Sequence, residues 1–159
     1  MDKLMNKPYV PTEAKEQEAL ADWARLAEQD MPELKLLFHI PMGGFRYKST
    51  AVAMKRQLTK PGVPDLFLPV ARCGYNGLFV ELKRLSGGTI SEAQKKWLAA
   101  LNRQGYLALI CRGWVEAAVT IEKYLKGEPI ECTILTLTTT APQQKSGGLN
   151  LRTSDKTPI

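Results

Sequence analysis

The segment GVPDLFLPVARCGYNGLFVELKR, Gly62 to Arg84, constrains the fold more than any other part of the chain. Two β-type apolar runs, Asp65 to Val70 and Gly77 to Lys83, flank the connection Cys73-Gly74-Tyr75-Asn76-Gly77, where Asn-Gly is a hairpin signal. An antiparallel pair is expected. In the second run Leu78, Val80 and Leu82 fall on one face and Phe79, Glu81 and Lys83 on the other. The pattern suits a plain edge strand, and it equally suits a strand that carries half of a site.

The rest of the sequence places helices and strands around that pair. Thr12 can cap a first helix running through EAKEQEALADWARLAEQD to the residues before Pro32. Its apolar stripe passes through Leu20, Trp23 and Ala27, and one turn back from Leu20 lies Glu16. That acid therefore shares the inward face, while Glu18, Asp22 and Arg25 fall outside. LKLLFHI is expected as a buried strand closed by Pro41 and Gly43-Gly44. SEAQKKWLAALNRQG reads as a second helix with a Ser91–Gln94 capping box, ended by Gly105, and with Ile90, Trp97, Leu98 and Leu101 inward. YLALIC is a central strand and WVEAAVTIEKYLKG a third helix with Trp114, Ala118, Ile121 and Leu125 inward. Strand, helix, strand, helix implies a right-handed crossover and an α/β mixed sheet flanked by helices.

The expected organisation is an N-terminal arm (1–11), one domain (12–127), an edge strand within 128–140, and a mobile tail (141–159) poor in core-forming residues. Cys73, Cys111 and Cys132 are odd in number and far apart, which argues against a disulfide framework or a CxxC metal site. No apolar run approaches the roughly 20 residues of a membrane span, and MDKLMNKPYV lacks a signal-peptide core. A cytoplasmic setting is expected, the host cytoplasm if the chain is phage-encoded. The 22 Lys and Arg against 16 Asp and Glu give a net charge of +6, the sign suited to a phosphate-bearing partner.

Inward acids beside a lysine need a physical reason, because a buried unpaired carboxylate costs several kcal/mol or takes up a proton. A divalent cation removes that cost. Mg²⁺ takes one or two carboxylates, with water, main-chain carbonyl and substrate phosphate filling its other positions. Asp65 and Glu81 on neighbouring strands supply two such groups. Lys83 lies about 6–7 Å along the same face from Glu81, close enough to orient a water or steady charge on a phosphate.

The order of an acid in the first helix, Pro-Asp, and then E-x-K resembles the PD-(D/E)XK nuclease superfamily. Within it, Glu16 to Leu125 is similar to the VRR-NUC domain found in many phage proteins. The stretches that carry the likeness are EQEALADWARL, PELKLLFHIPMGG, KPGVPDLFLPVARCGYNGLFVELKR, TISEAQKKWLAALNRQGY and ICRGWVEA. The resemblance implies a restriction-endonuclease-like core, Mg²⁺ or Mn²⁺ dependence and hydrolysis of DNA phosphodiesters. Some stand-alone members act as dimeric Holliday-junction resolvases and others as structure-specific nuclease domains. It assigns Glu16, Asp65, Glu81 and Lys83 to metal and catalytic positions and Gln94 to the recurrent helix glutamine. The main-chain carbonyl of Leu82 joins them as a further ligand. One departure is PMGG at Pro41 to Gly44, where the family pattern reads PNGG, so Met42 lacks an amide.

Each residue also has a plainer reading. Glu16 suits a first-turn acid favoured by the helix dipole, with Glu18 as the alternative ligand. Gln94 suits a capping box on structural grounds alone. His39, the one histidine, reads as a core residue rather than a general base, and the three tryptophans as core rather than stacking platforms. Arg46, Lys48, Lys55, Arg56 and Lys60, a stretch without acids, and Arg84 are expected to contact DNA phosphates. The function expected is a Mg²⁺-dependent endonuclease of branched DNA, acting as a homodimer with no membrane association. The alternatives are a flap or other structure-specific nuclease and a DNA-binding module that has lost the chemistry.

Overall fold

The computed structural model describes residues 9–41 and 58–130. The first element, α1 (Glu13–Ala27), begins where Thr12 accepts a hydrogen bond from the Lys15 N–H, as the sequence suggests. A 3₁₀ turn (Pro32–Leu36) follows, then β1 (Phe38–His39), β2 (Leu66–Leu68), β3 (Leu78–Lys83), α2 (Glu92–Arg103), β4 (Leu107–Arg112) and α3 (Trp114–Lys126). The sheet has the order β1-β2-β3-β4. Its first three strands are antiparallel neighbours and β3 and β4 are parallel, joined by the α2 crossover. The expected α/β fold, a mixed sheet flanked by helices, is what the chain forms.

Burial follows strand alternation. Leu66, Leu68, Leu78, Val80 and Leu82 pack with Leu20 of α1 and with Ile121 and Tyr124 of α3. At about 25 cal/mol per Å² of apolar surface, this layer between sheet and helices supplies most of the folding drive. The Tyr124 hydroxyl is buried and donates to the Val70 carbonyl at 2.7 Å, so its polar atom is satisfied within the layer.

Two local expectations are corrected. LKLLFHI is not a buried strand: Pro32 opens a 3₁₀ turn, Leu34 alone of its leucines is buried, and the strand shrinks to two exposed residues at the sheet edge. His39 is thus exposed rather than a core residue. The hairpin turn is also displaced from Asn76-Gly77. It centres on Cys73 (φ 54°) and Gly74 (φ 81°), with Arg72 and Tyr75 exchanging both main-chain bonds. Positive φ at both central positions gives the strand twist a two-residue hairpin needs. Asn76 is drawn elsewhere: its N–H donates to the Gly105 carbonyl and its amide to the Gln104 carbonyl, tying the hairpin to the end of α2.

The outer side of β4 is partly closed by side chains. The Asn102 amide donates to the Ala108 carbonyl (2.8 Å) while accepting from its N–H (3.1 Å), and Glu116 accepts from the Arg112 N–H. These contacts imitate a strand at both ends of β4 and blunt its edge. The edge strand expected within 128–140 falls, apart from residues 128–130, outside the described residues, as does the tail.

Candidate active site

The sheet register sets Asp65 against Glu81. Leu66 pairs with Val80 in an antiparallel ladder, so the residue before Leu66 stands opposite the residue after Val80. Asp65 Oδ2 accepts from the Leu82 N–H at 2.9 Å, carrying the ladder one step past β2 by way of a side chain. The Lys83 carbonyl accepts from the Gly113 N–H on the β4 side at 2.7 Å. Strand alternation therefore turns both main-chain groups of Leu82 toward Asp65.

Glu81 is 1% exposed. Its Oε1 accepts from Lys83 Nζ at 2.6 Å and from Gln94 Nε2 in a short hydrogen bond. Its Oε2 is buried with no hydrogen-bond partner among the described residues. Leaving such an acceptor unsatisfied costs about 1–3 kcal/mol, and more when it is charged. Burial pushes the Glu81 carboxyl up to about 7; the bond from Lys83 opposes the rise and the nearby Asp65 adds to it. Asp65 is also raised by burial, against the pull of the Leu82 N–H and Lys83. Burial works to lower Lys83, which is 5% exposed, but Glu81, Glu13 and Asp65 together carry it above its ordinary value. The site is a charged ammonium among carboxylates that their surroundings leave short of compensation.

Gln94 closes the capping box and also touches Glu81. Its Oε1 accepts from the Ser91 N–H at 2.8 Å, closing the capping box, while Nε2 reaches Glu81. The capping box is thereby wired into the site. Trp97, expected in the core stripe, is instead half-buried at the rim with its indole N–H on the Pro61 carbonyl.

Glu16 stands elsewhere. It is 4% exposed, and its Oε2 accepts from the Trp114 N–H at 2.9 Å, at the positive end of α3. The α1 acid beside Asp65, Glu81 and Lys83 is Glu13, 47% exposed, whose Oε2 lies 3.7 Å from Lys83 Nζ. Sequence reasoning missed it, although a further step back along the Leu20–Glu16 stripe leads to position 13. Glu18 faces solvent and pairs with Lys15.

A cleft of about 620 Å³ opens beside Lys83, walled by Thr12, Glu13, Gly88, Ser91 and Gln94. Arg84 lines it too, exposed and donating to the Gly87 carbonyl at 3.0 Å. Arg112, not singled out in the sequence, fixes the same loop through the Gly88 carbonyl at 3.2 Å. Lys60 is exposed. Met42, Arg46, Lys48, Lys55 and Arg56 lie outside the described residues.

The donor set suits a hard cation. The partnerless Glu81 Oε2, the Asp65 carboxylate and the Leu82 carbonyl are all oxygens on adjacent strands. Among the described residues no three His, Cys, Asp or Glu side chains form a metal cage by themselves. A cage is not what Mg²⁺ requires, since it keeps several waters and takes substrate oxygens.

The sequence profile of the VRR-NUC domain matches residues 11–114. The chain belongs to the VRR-NUC domain family. A solved structure described as a VRR_NUC domain protein is 27% identical, with a TM-score of 0.64, and the match covers 76% of this chain and 97% of the other. No curated protein gives a significant match. The matched span runs from just before Glu13 to Trp114 and so encloses Asp65, Glu81, Lys83 and Gln94. This chain is a nuclease-family member, and DNA is the partner class the family implies. Among the described residues no helix is long and apolar enough to cross a membrane.

Proposed function

We propose that the chain is a Mg²⁺- or Mn²⁺-dependent endodeoxyribonuclease that hydrolyses phosphodiester bonds of branched DNA, Holliday junctions among them. The observation that carries this reading is the enclosed, partnerless Glu81 Oε2, set against Asp65 and one hydrogen bond from Lys83. Asp65, Glu81 and the Leu82 carbonyl would hold a cation that makes that enclosure tolerable, and such a cation would supply positive charge for the phosphate and lower the pKa of a water at neutral pH.

The protein's own groups supply the rest. Gln94 and Lys83 both donate to Oε1, which leaves Oε2 of Glu81 as the free ligand. The Lys83 ammonium, held in place by Glu81, steadies negative charge as it builds on the phosphate in a partly dry site. Glu13, half in solvent, stands at the wall of the cleft 3.7 Å from Lys83 Nζ. Arg84, Lys60 and the basic run containing Arg46, Lys48, Lys55 and Arg56 contact the DNA backbone, fixing position without reading sequence. A four-way junction offers two symmetric strands, and a homodimer with two sites matches that symmetry.

The test is cleavage of labelled junction, flap and linear duplex with Mg²⁺ or with EDTA. Metal-dependent cutting of branched DNA is expected, reduced at least about a hundredfold in Asp65→Ala and Lys83→Ala. Undiminished cutting by both variants refutes the site. A salt-sensitive gel shift without cutting in any metal identifies a binding module instead.

A further inference from the structure

We infer that Trp97 is a positioning residue for the Glu81 carboxylate, acting through Pro61, Gly62 and the first turn of α2. The geometry stands on its own; its consequence for cation binding rests on the reading proposed above.

The contacts form a closed ring. Trp97 Nε1 donates to the Pro61 carbonyl at 3.1 Å, tying α2 to the loop that leads into Asp65. The next residue, Gly62, has φ +86°, and a Cβ there would lie 2.6 Å from the Ala93 carbonyl carbon and 2.8 Å from the Ala93 Cβ. Real Cβ atoms do not approach that closely, so the loop backbone rests directly on the first turn of α2. Ala93 precedes Gln94, whose amide is committed at both ends, to the Ser91 N–H and to Glu81. From Gly62 the chain passes through buried Pro64 to Asp65, which faces Glu81 across the sheet.

Gln94 has no slack with which to follow a moving helix. If the N-terminal half of α2 lifts away from the loop, the Gln94 bond to Glu81 lengthens and the carboxylate, left with Lys83 as its described donor, gains freedom about χ3. The Oε2 presented to a cation is then no longer fixed. Ligand geometry of this kind tolerates errors of about half an ångström. Leu98 and Asn102 also anchor α2, from its middle and its last turn.

Trp97→Phe removes the indole donor and keeps most of the ring. Measured by calorimetry, Mn²⁺ affinity should fall roughly threefold to tenfold, at or below the loss typical when an outer-shell partner of a metal ligand is removed. In the Gln94→Ala background the same substitution should have no further effect, because the coupling runs through Gln94. Unchanged Mn²⁺ affinity, or full additivity of the two losses, overturns the inference. A metal-free readout separates this result from the nuclease reading. The Gln94 side-chain amide protons of the apo protein should move in NMR spectra of Trp97→Phe, and unmoved signals overturn the inference whatever the metal result. Moved signals in a protein that binds no divalent cation leave the clamp standing and remove the nuclease reading instead.

Discussion

Two buried glutamates, Glu16 and Glu81, sit at opposite ends of the same argument. Both are at least 96% enclosed, and both lie where an inward stripe or strand face would ordinarily carry an apolar side chain. Glu16 meets a helix start: its Oε2 takes the Trp114 N–H, and the positive end of α3 offsets its charge. Glu81 has two strong donors, but both crowd onto Oε1 and its other oxygen is stranded. The difference teaches that burial of an acid is not the mark of chemistry. An incomplete set of partners points to it more strongly, because the described residues do not supply the missing one.

The largest expected effect breaks the comparison if it fails. Glu81→Gln should lower cleavage of branched DNA at least about a hundredfold, since the neutral amide offers the cation a weaker ligand. Glu16→Gln should cut at close to the wild-type rate, because its oxygen can still accept from Trp114. Equal losses in single-turnover assays of the two folded variants place Glu16 in the site after all.

The pH dependence of stability sharpens it. Glu81 is an acid whose folded pKa, about 7, lies above its ordinary 4.5. The metal-free fold is therefore favoured by its protonation below pH 4.5 and loses that contribution as pH rises through about 7. The loss is on the order of 3 kcal/mol. Asp65, also raised, acts in the same direction. Wild type minus Glu81→Gln, followed by urea unfolding between pH 4 and 8 in EDTA, should show this slope, and Mg²⁺ should flatten it. A flat difference means that Glu81 is already compensated without a cation.

A smaller effect belongs to the other glutamate. Glu16→Ala leaves the Trp114 N–H without its acceptor and removes the charge at the α3 terminus, at a cost of about 2 kcal/mol. Thermal unfolding measures this. A loss within error shows that water replaces the carboxylate without penalty.

Much of this was legible in the sequence, and the failures have physical reasons. The β2–β3 pair followed from period-two alternation, and its register set Asp65 against Glu81. The Thr12 and Ser91 caps and the α2 crossover followed from local chemistry that tertiary contacts did not override. LKLLFHI was misread because a short apolar run looks alike in a buried strand and in a 3₁₀ turn with one inward leucine. Asn76-Gly77 was misread because carbonyls at the end of α2, some thirty residues downstream, claim Asn76. The first helix is the telling case. Its periodicity identified the inward face but not which turn of that face meets which neighbour. Glu16 reaches α3, and Glu13, one turn nearer the start, reaches Lys83.

Glu13 itself gives the smallest expected change in stability and the finest resolution of the contrast. Its carboxylate is 3.7 Å from Lys83 Nζ and half in water, so the pair contributes about 0–1 kcal/mol. Glu13→Gln should therefore unfold within about 0.5 kcal/mol of wild type. Lys83 keeps its 2.6 Å bond to Glu81 in that variant and stays charged. If Glu13 orders waters around the cation, the Mg²⁺ needed for half-maximal cleavage should rise while DNA binding in EDTA stays the same. If it only screens Lys83 from solvent, neither quantity should move. A metal requirement that shifts without a change in stability would make Glu13 the α1 acid of the site and leave Glu16 to the architecture.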